Sequence, residues 1–411
     1  MTSHETFVIV GANLAGGRAA ESLRLRGFAG RVVLVGEEPY GPYERPPLSK
    51  QVLKGTMTPD DTLLRPTEGW ESSGVELLTG RRITRLLPSE SRVELDDGRA
   101  LAADKVLLCT GARVRRLAVE GADLAGVHYL RTLEDALAVR ERLLPGAPVV
   151  VIGAGFIGAE VAASAREVGC EVTLVELAPL PMSRVLGDDI AAAYVRFHRD
   201  RGVDVRTGVG VDRIEGTGGE VRAVVTTDGA RLEASLVVIG VGIAPADELA
   251  RAAGIAVDNG IVVDEFCQTS NPAVLAAGDV ANAPNALMGR RVRFEHWQNA
   301  QNQAVAAAGT MLGEQVEFCE LPWFWSDQFD LGLQLTGDPS SGDRVVVRGA
   351  IEDADFCAFY LADGAMVGAV ALNRPRELRA AMGLVRRRAV IELDALADAM
   401  VDLRALGRAR A

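Results

Sequence analysis

Short, unbroken apolar runs punctuate the chain, each closed by glycine. Phe7-Val8-Ile9-Val10 is the first. It meets the turn Gly11-Ala12-Asn13-Leu14-Ala15-Gly16. A stretch rich in small residues then predicts a helix to Gly27, and Arg31 to Val35 predicts a second strand, followed by Glu37 and Glu38. Runs of this length, apolar at every position, read as strands buried on both faces of a parallel sheet. The pattern then repeats. Val149 to Ile152 predicts a strand, Gly153-Ala154-Gly155-Phe156-Ile157-Gly158 a turn, Ala159 to Val168 a helix, and Glu171 to Val175 a strand ending at Glu176. A hairpin follows each copy: Arg92–Leu95 and Ala100-Leu101 about Asp96-Asp97-Gly98, and Val224–Thr227 with the turn Asp228-Gly229. Each module closes on an apolar strand ending in glycine, Lys105–Cys109 before Thr110-Gly111 and Leu236–Ile239 before Gly240-Val241-Gly242.

Two strand–turn–helix–strand units in one chain are a far stronger signal than one glycine fingerprint. The pattern changes again after Leu321. Pro322-Trp323-Phe324-Trp325-Ser326-Asp327 is aromatic, strands are predicted at 332–336, 344–348, 356–361 and 366–371, and a helix begins near Arg376. The expected fold is α/β, with two Rossmann-type dinucleotide-binding domains and a C-terminal α+β domain. The expected boundaries are 1–110 with 246–320 for the first nucleotide domain, 111–245 for the second, and 321–411 for the third.

Composition narrows the function. The chain has 411 residues, 48% apolar, with a formal net charge of -12. Such an acidic balance argues against sequence-independent nucleic-acid binding, which needs a basic face. No apolar run is long enough to span a bilayer, and the polar start, Met1–Thr6, does not read as a secretory signal; a cytoplasmic protein is expected. The five cysteines contain no C-x-x-C and the histidines are scattered, so no metal site is expected. Cys109, Cys170 and Cys357 read as small buried hydrophobes. Of 44 basic residues only Lys50, Lys54 and Lys105 are lysine.

The glycine turns are the candidate chemistry. A first glycine permits the bend, and the helix N-terminus behind it offers free N–H groups to a pyrophosphate. Gly11, Leu14, Ala15 and Gly16 form the first candidate site, with Asn13 where a second glycine usually stands. Gly153, Gly155, Ile157 and Gly158 form the second. Glu37 and Glu176 stand where an acid accepts ribose hydroxyls. Glu176 favours NADH over NADPH by repelling a 2′-phosphate, while Arg184, eight residues on, offers an opposing charge. Asp279, after Gly278, ends an apolar run where ligands bind in such sheets. Lys50 lies in a proline-stiffened loop without cysteine, a candidate positive charge beside a flavin. Trp323 and Trp325 alternate along one strand face. Arg374, Arg376, Arg379, Arg386, Arg387 and Arg388, opposed by Glu377, form a basic group that could dock an acidic protein.

These motifs resemble the FAD-dependent NADH:ferredoxin reductases of the putidaredoxin reductase and aromatic-ring dioxygenase reductase type. The resemblance is carried by Pro46-Pro47-Leu48-Ser49-Lys50, Tyr129-Leu130-Arg131-Thr132-Leu133-Glu134-Asp135, Ala276-Ala277-Gly278-Asp279, Asn299-Ala300 and Pro322-Trp323-Phe324-Trp325-Ser326-Asp327-Gln328. It implies FAD contacts at Ala15, Glu37, Lys50, Ile83, Arg131, Asp279 and Trp297, a candidate set that Arg45, Thr110, Gly111 and Gly278 complete. It implies NADH contacts at Gly153, Gly155, Ile157, Glu160, Glu176 and Gly242, with Lys50 and Glu160 as catalytic residues. The implied acceptor is a [2Fe-2S] ferredoxin that docks at Trp323, Trp325 and Arg386–Arg388 and feeds a haem-thiolate monooxygenase or a Rieske-type dioxygenase. The resemblance also implies a glutathione-reductase-like three-domain fold, and a monomer or weak homodimer is expected. Competing readings on the same fold are a disulfide or peroxide reductase, which needs a redox cysteine beside the flavin, an NADH oxidase, and an NADH-sensing flavoprotein that changes partners on reduction.

Overall fold

The computed structural model describes residues 4–406. The chain forms two compact units. The first comprises Met1–Glu44, Pro59–Arg113 and Ile243–Pro322; the second comprises Arg45–Thr58, Val114–Gly242 and Trp323–Ala411.

The first unit is built on a parallel sheet of five strands in the order Val274–Ala276, Lys105–Leu108, Thr6–Val10, Arg31–Val35, Val75–Leu78. Alternation along Thr6–Val10 explains why no polar residue interrupts it. Phe7 and Ile9 enter one core with Ala19, Leu23, Ala304 and Ala307. Val8 and Val10 enter another with Val93, Leu101 and Ile261. Both faces are therefore covered, as a parallel sheet requires. The helices Leu14–Leu25 and Trp297–Met311 pack together through small residues, among them Ala15, Ala19, Ala300 and Ala304. Small side chains let two helices approach closely and carry their N-termini together.

The second unit repeats the design. Its parallel sheet runs Asp204–Thr207, Glu171–Glu176, Pro148–Ile152, Leu236–Ile239, Val127–Tyr129. The helix Phe156–Val168 begins three residues earlier than its apolar spacing suggests, because Gly155 is its N-cap. Thr132 caps Leu133–Arg142 in a reciprocal capping box with Asp135, which satisfies two otherwise unpaired N–H groups. The second hairpin is more elaborate than expected. Val211–Thr217 and Glu220–Thr226 pair antiparallel, and Arg231–Glu233 adds a third strand after the Asp228-Gly229 turn. The charged strand Val211–Thr217 lacks the apolar alternation that would have announced it.

The C-terminal part of this unit is an antiparallel sheet in the order Trp323–Gln328, Leu331–Gly337, Ala365–Leu372, Asp355–Ala362, Arg344–Ala350. The helix Pro375–Arg386 buries Leu378, Ala381, Leu384 and Val385. Arg348 is 2% exposed and donates to three carbonyl oxygens, Leu396 at 2.8 Å, Ala395 at 3.0 Å and Val401 at 3.1 Å. It thus fastens the segment after the last long helix. Replacing Arg348 with Met leaves these carbonyls without their donor. The expected cost is about 2–4 kcal/mol, read as a lower urea midpoint together with faster proteolysis within 393–406. An unchanged midpoint and cleavage pattern would show that the segment holds without it.

Candidate functional site

In the first unit the turn after Thr6–Val10 is set by two glycines. Gly11 has φ +115°, and a Cβ there would lie 2.2 Å from the Cys109 carbonyl oxygen. A Cβ at Gly16 would lie 1.9 Å from the Gly11 oxygen. Asn13 takes the middle place without obstructing the turn. Its Nδ2 donates to the Cys109 oxygen at 2.6 Å, and its Oδ1 accepts from the Gly16 N–H at 3.2 Å as the helix N-cap. The departure from glycine is therefore a capping strap, and the N-terminus at Leu14 and Ala15 retains its dipole.

The rest of this candidate set collects nearby or is explained by packing. Gly278 has φ +81°, and a Cβ there would come 3.2 Å from Ala15 Cβ and 3.8 Å from Ala300, so Asp279 follows at the start of the first helix. Gln303 fixes this corner by accepting from the Gly278 N–H at 2.9 Å. Trp297 opens its helix, half-buried. Thr110 donates to the Ala246 oxygen at 2.6 Å, with Gly111 beside it at φ +68°. Of the two acids after the second strand, Glu38 accepts from Tyr43, while Glu37 is exposed and only 4.0 Å from Arg82. Glu37 is thus the more available acceptor. The Ile83 side chain belongs to the core, so what it can offer a ligand is its backbone.

In the second unit the same turn keeps all three glycines, and they differ. Gly153 has φ +99°, and a Cβ would meet the Gly240 oxygen at 2.4 Å. At Gly158 it would meet the Gly153 oxygen at 1.9 Å. At Gly155 it would meet nothing within 4 Å. The fold needs the first and third; packing gives no reason for the second. A glycine facing open space at a helix N-terminus suits close approach by a pyrophosphate. Glu176 is tied to this turn: its carboxylate accepts from the Ala154 N–H at 2.7 Å and the Ala178 N–H at 2.8 Å. Ile157 is half exposed on the helix, Gly242 is exposed with φ +97°, and Arg184 is exposed on the short helix Ser183–Leu186.

The densest polar cluster lies in this unit, around Glu160. This residue is 3% exposed and Lys50 7%. Lys50 Nζ stands 2.9 Å from Glu160 Oε2, which also accepts from the Ser49 hydroxyl. Ser326 donates to Glu160 Oε1 at 2.7 Å. Lys50 is therefore a buried ion-pair partner and not a solvated surface lysine. The loop holding it is anchored on the helix that carries Glu160: Ser164 donates to the Ser49 oxygen at 2.8 Å, and Lys54 pairs with Glu167 at 3.2 Å. Arg45 donates to the Arg131 oxygen in the same unit. Ser49 and Ser326 were visible only as members of larger motifs; their joint hold on Glu160 had no signal in spacing.

The C-terminal candidates separate. Trp323 and Trp325 do share one strand face and stack, with centroids 5.2 Å apart, each half-buried. The arginine group is smaller than expected. Arg374 makes a paired hydrogen bond with Asp355 at 2.7 and 3.0 Å and also meets Glu377, so Glu377 is not its sole opposing charge. Arg386 ends the helix, and Arg387 and Arg388 lie beyond it, all three exposed.

The cysteines hold no disulfide partner among the described residues. Burial raises the Cys109 thiol far above its ordinary range and Cys267 to about 12. A thiol in that state is a poor nucleophile at neutral pH. No helix among the described residues is long and apolar enough to cross a membrane, and no cluster of three or more His, Cys, Asp or Glu among them could hold a metal ion.

Two glycine turns at the ends of parallel strands, with an acid after each second strand, define an oxidoreductase of the two-dinucleotide class. The chain belongs to the pyridine nucleotide-disulphide oxidoreductase family, whose pattern it matches over residues 5–304, and it carries a reductase C-terminal domain over residues 323–407. It is 39% identical to putidaredoxin reductase of Pseudomonas putida, over 98% of this chain and 97% of that one. It is 41% identical to the ferredoxin–NAD(+) reductase component of the anthranilate 1,2-dioxygenase system of Burkholderia cepacia, over 98% and 99%. Among solved structures, putidaredoxin reductase in its covalent complex with putidaredoxin superimposes with a TM-score of 0.96, covering 99% of both chains. A NAD-dependent persulfide reductase from A. fulgidus shares the fold at 22% identity, with a TM-score of 0.89, 98% of this chain and 82% of that one.

The glycines separate folding from binding. Gly155→Ala is expected to leave the melting temperature unchanged within error while weakening NADH binding about tenfold, a loss near 1.4 kcal/mol. Gly158→Ala is expected to lower the melting temperature outright. Equal effects of the two on stability would contradict the distinction.

Burial lowers the His296 imidazole to about 4, against an opposing pull from Asp279. The unfolded chain takes up this proton near pH ~6.5. Stability is therefore lost as pH falls from there toward 4, and none is lost above. In His296→Gln the loss between pH 7 and 4.5 should be smaller than in wild type by about 2–3 kcal/mol, measured by urea unfolding. Parallel curves would contradict it.

Proposed function

We propose that this protein is an NADH-dependent ferredoxin reductase, with FAD held by the first unit's turn and NADH by the second's. FAD, when bound, accepts a hydride and releases electrons singly. Gly11, Leu14, Ala15 and Gly16 present the helix N-terminus to its pyrophosphate, and Glu37 accepts ribose hydroxyls. Thr110, Gly111, Gly278, Asp279, Trp297 and the backbone at Ile83 complete that set in the first unit; Arg45, Lys50 and Arg131 are further candidates for FAD contact. Gly153, Gly155, Ile157, Gly158 and Gly242 receive the nicotinamide dinucleotide. The Glu176 carboxylate, fixed by two backbone N–H groups, accepts from its ribose and disfavours a 2′-phosphate, against which Arg184 offers little fixed charge. Lys50 and Glu160 are the catalytic pair: Glu160 holds the Lys50 ammonium in one place, away from water.

The observation that carries this reading is two dinucleotide turns without a usable redox cysteine. The loop ending at Lys50 contains none, and the buried thiols of Cys109 and Cys267 are held protonated. Disulfide exchange is thereby disfavoured, which leaves electron transfer to an external carrier. The relatives named for that task, putidaredoxin reductase and the anthranilate dioxygenase reductase component, match along nearly their full length. A [2Fe-2S] ferredoxin serving a monooxygenase or dioxygenase is the acceptor this supports. The Trp323–Trp325 pair and the exposed Arg386, Arg387 and Arg388 are its two docking candidates, on a chain of net charge -12. A local basic patch on an acidic body steers an acidic partner.

Purified protein should be yellow, bleach with NADH under anaerobic conditions, and reduce a [2Fe-2S] ferredoxin far faster than oxygen or glutathione disulfide. Oxygen uptake equal to ferredoxin reduction would favour an NADH oxidase, and slow turnover with every acceptor an NADH sensor. Replacing Arg386, Arg387 and Arg388 with Glu is expected to raise KM for ferredoxin about tenfold or more at low salt while leaving ferricyanide reduction unchanged. Unaltered ferredoxin kinetics would remove these arginines from the docking face.

A further inference from the structure

The Lys50–Glu160 pair is the near end of a longer chain of hydrogen bonds. Gln328 Nε2 stands 2.9 Å from Ser326 Oγ, and His198 Nε2 stands 2.7 Å from Gln328 Oε1. Ser326 and Gln328 are each 1% exposed, as is His198 on the helix Asp188–Asp200. The chain runs from that helix through the strand Trp323–Gln328 to the helix Phe156–Val168, within one unit.

Its polarity follows from one fact. An ionised carboxylate accepts and cannot donate. Ser326 must therefore give its only proton to Glu160, so its lone pair accepts from the Gln328 amide nitrogen. The Gln328 oxygen then faces His198, which must donate through Nε2. Every donor points toward Glu160. Burial lowers His198 from its ordinary range, more than the Gln328 contact raises it. The ring is neutral at pH 7, with Nδ1 left as a lone pair lacking a hydrogen-bond partner. Beside His198, burial and then the charge of Glu160 push the Tyr194 phenol well above its usual range. The cavity bordered by His198 and Tyr194 has a volume of about 10 Å³, room for at most one water.

The geometry points to Ser326, Gln328 and His198 as positioning residues that act through Glu160, holding its carboxylate aimed at Lys50. They do not conduct protons, because the amide of Gln328 interrupts any relay of that kind. Ser326 and Gln328 lie on the face of their strand opposite Trp323 and Trp325, so one strand carries both the positioning hydroxyl and the tryptophan pair. This role rests on the reading of Lys50 and Glu160 as the catalytic pair.

The test has two arms. The first reads the wild-type protein itself: nitrogen NMR of the histidine-labelled enzyme, with the His198 signal assigned by its loss in His198→Asn, should show a neutral ring protonated on Nε2. Protonation on Nδ1 would overturn the chain. The second arm measures flavin reduction by NADH in anaerobic stopped flow. Ser326→Ala should slow the limiting rate about tenfold, the worth of one hydrogen bond to a buried charge, with FAD content and the Kd for NADH unchanged. Ser326→Thr, which keeps the hydroxyl, should recover most of the rate. A rate equal to wild type in Ser326→Ala, or a loss shared equally by Ser326→Thr, would overturn the role. Glu160→Gln separates the two readings. If it slows flavin reduction while Ser326→Ala does not, the positioning role fails alone. If it leaves flavin reduction untouched, the catalytic pair fails and the positioning role with it.

Discussion

A charge taken out of water must be met by an opposite charge and by hydrogen bonds, and Lys50 with Glu160 is where this chain satisfies that demand. Both side chains are less than 10% exposed. Desolvating such a pair costs several kcal/mol per ion, and removing one partner typically costs about 3–5 kcal/mol. The surroundings follow from this. Ser49 and Ser326 supply the remaining donors to the carboxylate. The loop is pinned by Ser164 and by Lys54 with Glu167. Val52 and Leu53 bury their side chains. The segment Arg45–Thr58 belongs to the second unit although the chain on either side of it belongs to the first. The pair supplies a physical reason for that membership.

The two turns show how one backbone design is adapted twice. In both, the outer glycines are dictated by the protein itself, since a Cβ at Gly16 or Gly158 would overlap a carbonyl oxygen at 1.9 Å. The middle position is free to vary. At Gly155 it is left bare over open space; at Asn13 it is spent on capping the helix and strapping the Cys109 carbonyl. The acids differ similarly: Glu176 is held by its turn, whereas Glu37 is exposed.

Much of this architecture is legible in the residues. Phe7–Val10 and Val149–Ile152 are apolar at every position because the side chains on both faces of each strand are buried, the mark of a covered parallel sheet. The capping box at Thr132 and Asp135, the shared face of Trp323 and Trp325, and the burial of Cys109, Cys170 and Cys357 follow from local rules. What escaped is what tertiary structure decides. Val211–Thr217 is a strand because it pairs with Glu220–Thr226, not because of its own pattern. Arg374 looked like part of a basic surface until Asp355, nineteen residues away, was brought against it. The scarcity of lysine made Lys50 conspicuous, but nothing in its loop announced a carboxylate 110 residues later. Ser326, Gln328 and His198 are ordinary residue types at unremarkable spacing, and only the fold joins them to Glu160.

If that ion pair organises the chemistry, its two members act as one unit and their losses do not add. The direct measurement is a double-mutant cycle on the limiting rate of flavin reduction by NADH, with Lys50→Met, Glu160→Gln and the pair together. The account predicts that the double variant is little slower than either single one. Losses that multiply, each variant slowing the reaction independently of the other, would contradict it.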